Sequence, residues 1–152
     1  MWILVINPGG GSTKVAVFNG AKSTLSESVE HPPNQLVRFG HVLDQYELRK
    51  SAVLSVLDKH KFDRTRLQAI ATRGGPLKPL QGGVYRITPR VAADIRHGEY
   101  QTLHPSLLGP LIGFELSQEL NIPAYFVDPE STDEFRDIAR VSGFNGIQRI
   151  AI

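Results

Sequence analysis

The sequence predicts one α/β domain built on a mixed sheet, and three observations lead to that reading. The first thirty residues read as three strands in series joined by tight turns. Later apolar runs alternate with segments of helical spacing. Neither a repeat nor a low-complexity linker divides the 152 residues, a length that suits one domain with a full core.

Residues 2–6 are a β-branched apolar run ended by Asn7-Pro8-Gly9-Gly10-Gly11, which predicts a buried strand entering a turn. Residues 14–18 resume as a strand and stop at Asn19-Gly20, a hairpin signal. Residues 23–30 carry Leu25 and Val29 among small polar residues, so a third, half-exposed strand completes an antiparallel meander. Residues 31–41, with Pro32, Pro33 and Gly40, predict a loop. Residues 44–60 place Tyr46, Val53, Val56 and Leu57 at helical spacing, with Asp44 as the expected N-cap.

A short buried strand over 67–71 runs into Thr72-Arg73-Gly74-Gly75-Pro76. Residues 83–88 predict a strand or extended segment, and Thr88-Pro89 opens a helix to about Gly98. Residues 106–120 predict another helix, weakened by Gly109, Pro110 and Gly113. Residues 124–127 form a last buried strand before Asp128-Pro129, and Thr132 with Asp133 caps an expected helix over 132–139.

Composition narrows the function classes. Seventeen basic against 15 acidic residues leave a net charge of +2, which gives no electrostatic footprint for nucleic acid or a membrane surface. Cysteine is absent, so disulfides and thiolate metal sites are excluded, and a cytoplasmic location is expected. The opening segment has no basic n-region and a short apolar run, so it predicts a strand, not a signal peptide or membrane span. His31, His41, His60 and His97 are scattered and show no metal-ligand spacing.

The segment Asn7 to Lys14 carries the most chemistry. Adjacent Gly9, Gly10 and Gly11 let backbone N–H groups approach a phosphate with no Cβ between. Ser12 and Thr13 add hydroxyls and Lys14 a charge. Both a P-loop and a dinucleotide fingerprint lead into a helix. Here the glycines lead into Val15-Ala16-Val17-Phe18, a strand. The loop is therefore a hairpin, either a plain glycine turn or the phosphate-gripping turn used by sugar kinases, actin and heat-shock ATPases.

Several blocks, in order along nearly the whole chain, resemble butyrate kinase and, more distantly, acetate kinase. They are Ile6-Asn7-Pro8-Gly9 with Ser12-Thr13-Lys14-Val15-Ala16-Val17-Phe18, Arg73-Gly74-Gly75-Pro76-Leu77-Lys78-Pro79, Gly98-Glu99 with His104, Glu119-Leu120-Asn121-Ile122-Pro123 through Asp128-Pro129, and Asp133-Glu134-Phe135 through Gly143. The resemblance implies a ribonuclease H-like (actin/hexokinase/Hsp70-type) domain, spanning residues 1–152 as the N-terminal half of a two-domain kinase whose adenosine-binding half is absent.

It implies ATP and Mg2+ as cofactors, and transfer of the γ-phosphoryl group to a short-chain carboxylate. By the same resemblance Arg73 holds the carboxylate or the phosphoryl group, Asp128 and Asn7 serve the metal, and His104 lies near the transferring group. Gly9, Gly10, Gly11, Ser12, Thr13 and Lys14 hold phosphate, with Asn7 at the loop base. Bland readings stand beside these: an Asx-turn at Asn7, an outward strand residue at Lys14, a surface arginine, a capping aspartate and a loop histidine. The family carries hydroxyls where this chain has Gly10 and Gly11, and each lost charge-assisted donor is worth ~1.5–3 kcal/mol. A half-kinase of this kind is expected to be inactive alone and to associate, as a homo-oligomer or with a second domain. The alternative is a non-catalytic phosphate-binding or regulatory remnant of the fold.

Overall fold

Strict alternation gives the opening strands two faces, and the computed structural model, which describes residues 1–150, shows how they are used. Strands β1 (Trp2–Pro8), β2 (Ser12–Asn19) and β3 (Lys22–Glu30) form the expected antiparallel meander. The rest of the chain adds α1 (Pro33–Leu36), α2 (Tyr46–Lys59), β4 (Ala69–Arg73), β5 (Val84–Arg86), α3 (Pro89–Arg96), α4 (Leu108–Leu120) and β6 (Ala124–Val127). The sheet order is β3-β2-β1-β4-β6-β5, with β1, β4 and β6 parallel. Strand β5 closes the edge antiparallel to β6.

Leu4, Ile6, Val15, Val17, Ile70 and Phe126 point to the face covered by α2 and α4 and are fully buried. The alternate residues Ile3, Val5, Ala71 and Tyr125 lie on the other face and are only half-buried. Helix α2 is tied to α4 by the Glu115 carboxylate, which accepts from the Tyr46 hydroxyl and pairs with Lys50. Among the described residues no helix is long and apolar enough to cross a membrane.

Four segments depart from expectation. The loop over 31–41 contains α1, because Pro33 sits in its first turn, where a missing N–H is harmless. Asp44 does not cap α2. It lies in a 3-10 turn, Val42–Gln45, where its Oδ2 accepts from the His41 N–H (3.0 Å) while His41 Nδ1 accepts from the Leu43 N–H (3.2 Å). Helix α4 runs unbroken through Gly109, Pro110 and Gly113, preceded by a 3-10 turn, Pro105–Leu107, capped by His104.

The fourth departure is the helix expected over 132–139, which is absent. Leu80 bridges Thr132, its N–H donating to the Ser131 carbonyl (3.3 Å) and its carbonyl accepting from the Asp133 N–H (2.8 Å), which holds this stretch alongside Leu80 as a bridge and not as a helical turn. Only a 3-10 turn, Asp137–Arg140, remains, and Asp133 holds Arg140 in a two-pronged ion pair at 2.8 and 3.0 Å.

The α4 glycines have a packing reason. A Cβ at Gly113 would sit 2.9 Å from Thr72 Cγ2, and one at Gly109 only 3.1 Å from the Arg73 carbonyl oxygen. Their lack of a side chain lets α4 lie directly on the end of β4. Gly75 is tighter still, since its Cβ would meet the Leu107 backbone nitrogen at 2.8 Å. Gly75→Ala is therefore expected to lower stability by about 1–3 kcal/mol in urea unfolding, and an unchanged midpoint would show that this contact is slack.

Candidate functional site

Parallel register gathers the candidate residues. Ile6 pairs with Thr72, and Thr72 with Phe126, in one buried row facing α4. The next row therefore faces the other way. Asn7 and Arg73 fall in it, and β2 adds Lys14, the register partner of Asn7. Lys14, Asn7 and Arg73 thus share one face at one end of the sheet, on three neighbouring strands. At a strand spacing of about 4.8 Å the Cα atoms of Lys14 and Arg73 lie roughly 10 Å apart, one on each side of Asn7. Lys14 and Arg73 are exposed, and Asn7 is half-buried.

The hairpin between β1 and β2 turns at the same end. Its tip is Gly10 and Gly11, closed by the Gly9 N–H donating to the Ser12 carbonyl (2.8 Å). The Gly9 amide is therefore committed to the turn. Neither tip glycine has a positive φ, and a Cβ on either would meet nothing within 4 Å. The fold itself does not require glycine at the tip, so the open space in front of these amides is what glycine preserves. An apolar groove lined by Pro32, Leu36 and Val37 opens beside them.

Thr13 does not present its hydroxyl to this space. It is 0% exposed, and its Oγ1 lies 2.8 Å from His31 Nε2 and accepts from Arg49 Nη1 (3.4 Å). Arginine has only donors, so the threonine proton is free for His31, whose Nε2 then acts as acceptor. His31 is 3% exposed, and burial, followed by the nearby Arg49 cation, holds its pKa below the ordinary 6.5, with Glu30 opposing.

At the end of β4 Arg73 meets His104, the cap of the 3-10 turn before α4, over a residue the sequence reading missed. Glu130 Oε1 lies 3.5 Å from Arg73 Nε, and its Oε2 lies 3.5 Å from His104 Nδ1. His104 Nδ1 also accepts from the Ser106 N–H (3.3 Å). A carboxylate thus already sits between Arg73, expected to hold a carboxylate or phosphoryl group, and His104, expected near the phosphoryl group. The available signal was an acid two residues beyond Asp128. Asp128 follows β6 with a φ of 40°, and its Oδ1 accepts from the Gly83 N–H (2.8 Å), turning one oxygen toward β5.

Among the described residues no group of three or more His, Cys, Asp or Glu could hold a metal ion. Asp128 and Asn7 each carry a hard oxygen of the type magnesium takes, but β4 separates the strands they belong to and one Asp128 oxygen is engaged by Gly83.

No protein-family model matches the chain. Among solved structures, acetate kinase from Porphyromonas gingivalis aligns with a TM-score of 0.63 at 17% identity, over 99% of this chain and 44% of that one. Acetate kinase from Entamoeba histolytica aligns at 0.55 and 12% identity, over 96% and 39%. YeaZ from Pseudomonas aeruginosa aligns at 0.50 and 14%, over 87% and 44%. The chain spans less than half the length of each, and at these identities the likeness shows the fold: a ribonuclease H-like α/β domain of the kind acetate kinases contain.

The buried His31 makes stability sensitive to acid. Its folded pKa lies below its unfolded value, so the unfolded chain binds the extra proton first. Stability is then complete above about pH 6.5 and declines as pH falls below it. Urea unfolding at several pH values is expected to show this loss in the wild type and a flatter profile in His31→Gln; parallel profiles would rule out this histidine as the cause.

Proposed function

We propose that this chain is the phosphate-handling half of a carboxylate kinase of the butyrate type, moving the γ-phosphoryl group of ATP to a short-chain carboxylate. One observation supports this above the others. Two cations and an amide, Lys14, Arg73 and Asn7, share a row at the sheet end where the glycine hairpin turns.

The chemistry asks for little more. A carboxylic acid of pKa about 4 is ionised at neutral pH, so no base is needed. One carboxylate oxygen attacks the γ-phosphorus, the bond to the β,γ-bridging oxygen breaks, and ADP leaves with that electron pair. No proton changes hands. Two anions must be brought together, which calls for positive charge and positioning.

In this proposal the Arg73 fork grips the carboxylate or the phosphoryl group. The hairpin amides and Lys14 hold the phosphates, and His104 adds a donor at the transferring group. Asp128 and Asn7 would hold magnesium, which neutralises phosphate charge when bound. The adenosine side comes from a second domain or a second copy of the chain.

A non-catalytic phosphate-binding role is the second reading. It is favoured by Glu130, which occupies the space between Arg73 and His104, and by the missing hydroxyls at positions 10 and 11. A hydroxamate assay with ATP, magnesium and butyrate separates the two. The chain alone is expected to form no acyl phosphate, and to form it once a complementary ATP-side domain is added. Arg73→Ala then lowers kcat/KM by about 100-fold, or about 2.7 kcal/mol. Wild-type turnover by Arg73→Ala would remove the kinase mechanism, and no turnover with the partner present would favour the binding role.

Gly10→Ser tests the hairpin separately. Because a side chain there meets open space, Tm is expected to stay unchanged while affinity for tripolyphosphate rises about tenfold, or about 1.4 kcal/mol. Unchanged or weaker binding, measured by calorimetry, would show that phosphate does not sit at this tip.

A further inference from the structure

Arg49 is 0% exposed, and among the described residues no carboxylate pairs with it. A buried charge without a counter-charge is unfavourable unless every donor is satisfied. Here every donor is satisfied by neutral oxygens. Nε and Nη2 donate to Gln45 Oε1 at 3.0 and 2.8 Å. Nη2 also donates to the Gly10 carbonyl (3.1 Å), and Nη1 to the Ser12 carbonyl (3.0 Å) and to Thr13 Oγ1 (3.4 Å). Three of these five bonds reach the hairpin.

Their effect on the hairpin follows from peptide geometry. A trans peptide is planar, with its carbonyl and the following N–H on opposite sides, and among the described residues there is no cis peptide. Drawing the Gly10 carbonyl toward α2 therefore turns the Gly11 N–H away from it. The Gly11 carbonyl accepts from the His31 N–H (2.7 Å), which turns the Ser12 N–H away from β3. Two consecutive amides at the hairpin tip are left without an inward partner, with an unneutralised cation behind them.

We infer that Arg49 is a positioning residue of the phosphate hairpin: its hold on the Gly10 carbonyl turns the Gly11 amide toward a phosphate, its hold on the Ser12 carbonyl anchors the following peptide, and the His31 N–H on the Gly11 carbonyl leaves the Ser12 amide free beside it. The inference rests on the phosphate-binding reading of this hairpin. It assigns Arg49 two effects: the fork fixes the loop, and the charge favours an anion in front of it through a low-dielectric interior. Lysine keeps the charge but cannot span carbonyls of two residues with a planar fork.

The test is a tripolyphosphate titration of the 15N-labelled chain at pH 7.5, near-neutral conditions in which His31 carries no charge, about one unit above its ordinary value. In the wild type the Gly11 and Ser12 amide resonances are expected to move and saturate. Arg49→Lys weakens binding about tenfold. Arg49→Met weakens it about 100-fold, shifts both amides already in the free protein, and leaves the β4 and β6 resonances in place.

Wild-type affinity in Arg49→Met, with the wild type titrating normally, overturns the role of Arg49 and leaves the hairpin reading standing. No saturable shift in the wild type overturns both. Should Arg49→Met not unfold cooperatively, Arg49→Lys decides: binding as tight as wild type contradicts the inference.

Discussion

Three parallel strands that end on one line are the constraint on which the rest of the site depends. Because Ile6, Thr72 and Phe126 are locked in one buried row against α4, the residues that follow them have no choice of face. Asn7 and Arg73 must emerge on the same side and at the same height. Lys14 is fixed opposite Asn7 by the antiparallel hairpin. The glycines of α4 serve this arrangement, since a side chain at Gly109 would push the helix off Pro8 and Arg73.

A second layer supports the first. Beneath the hairpin, Gln45, Arg49, Thr13 and His31 form a chain of buried polar groups with donors and acceptors matched. Such a chain is worth having only when complete, because a buried donor left alone costs about 1–3 kcal/mol. Its members come from β2, β3's end and the start of α2, so it ties the hairpin to the helix that covers it. The same matching makes the loop specific: its carbonyls are engaged on the inside, and the tip faces outward.

Much of this was legible in the sequence, and the failures are instructive. The meander, the parallel strands and the Thr88-Pro89 helix start were readable because turn residues and apolar periodicity are local signals. The helix over 132–139 was not, because Leu80, far away in sequence, holds the backbone there as a bridge. Gly109 and Gly113 read as helix weakness, since propensity says nothing of how near a strand lies.

Arg49 stands in the stripe of Ala52, Val53 and Val56, at i, i+3, i+4 and i+7, and a charge on an apolar stripe was a usable signal of a buried role. Thr13 was read as a phosphate donor because a hydroxyl beside glycines looks available, while strand parity after the turn sends it inward. Glu130 was missed because its meeting with Arg73 and His104 joins a strand end and two segments distant in sequence.

Phosphate gripped by the glycine hairpin in front of Arg73 is the feature on which the proposed function turns. A crystal structure of the chain soaked with magnesium and tripolyphosphate tests it most directly. A phosphate group is expected within hydrogen-bonding distance of the Gly11 and Ser12 nitrogens, with the Arg73 guanidinium turned from Glu130 toward it. Phosphate bound elsewhere, with the hairpin tip facing only solvent, would contradict it.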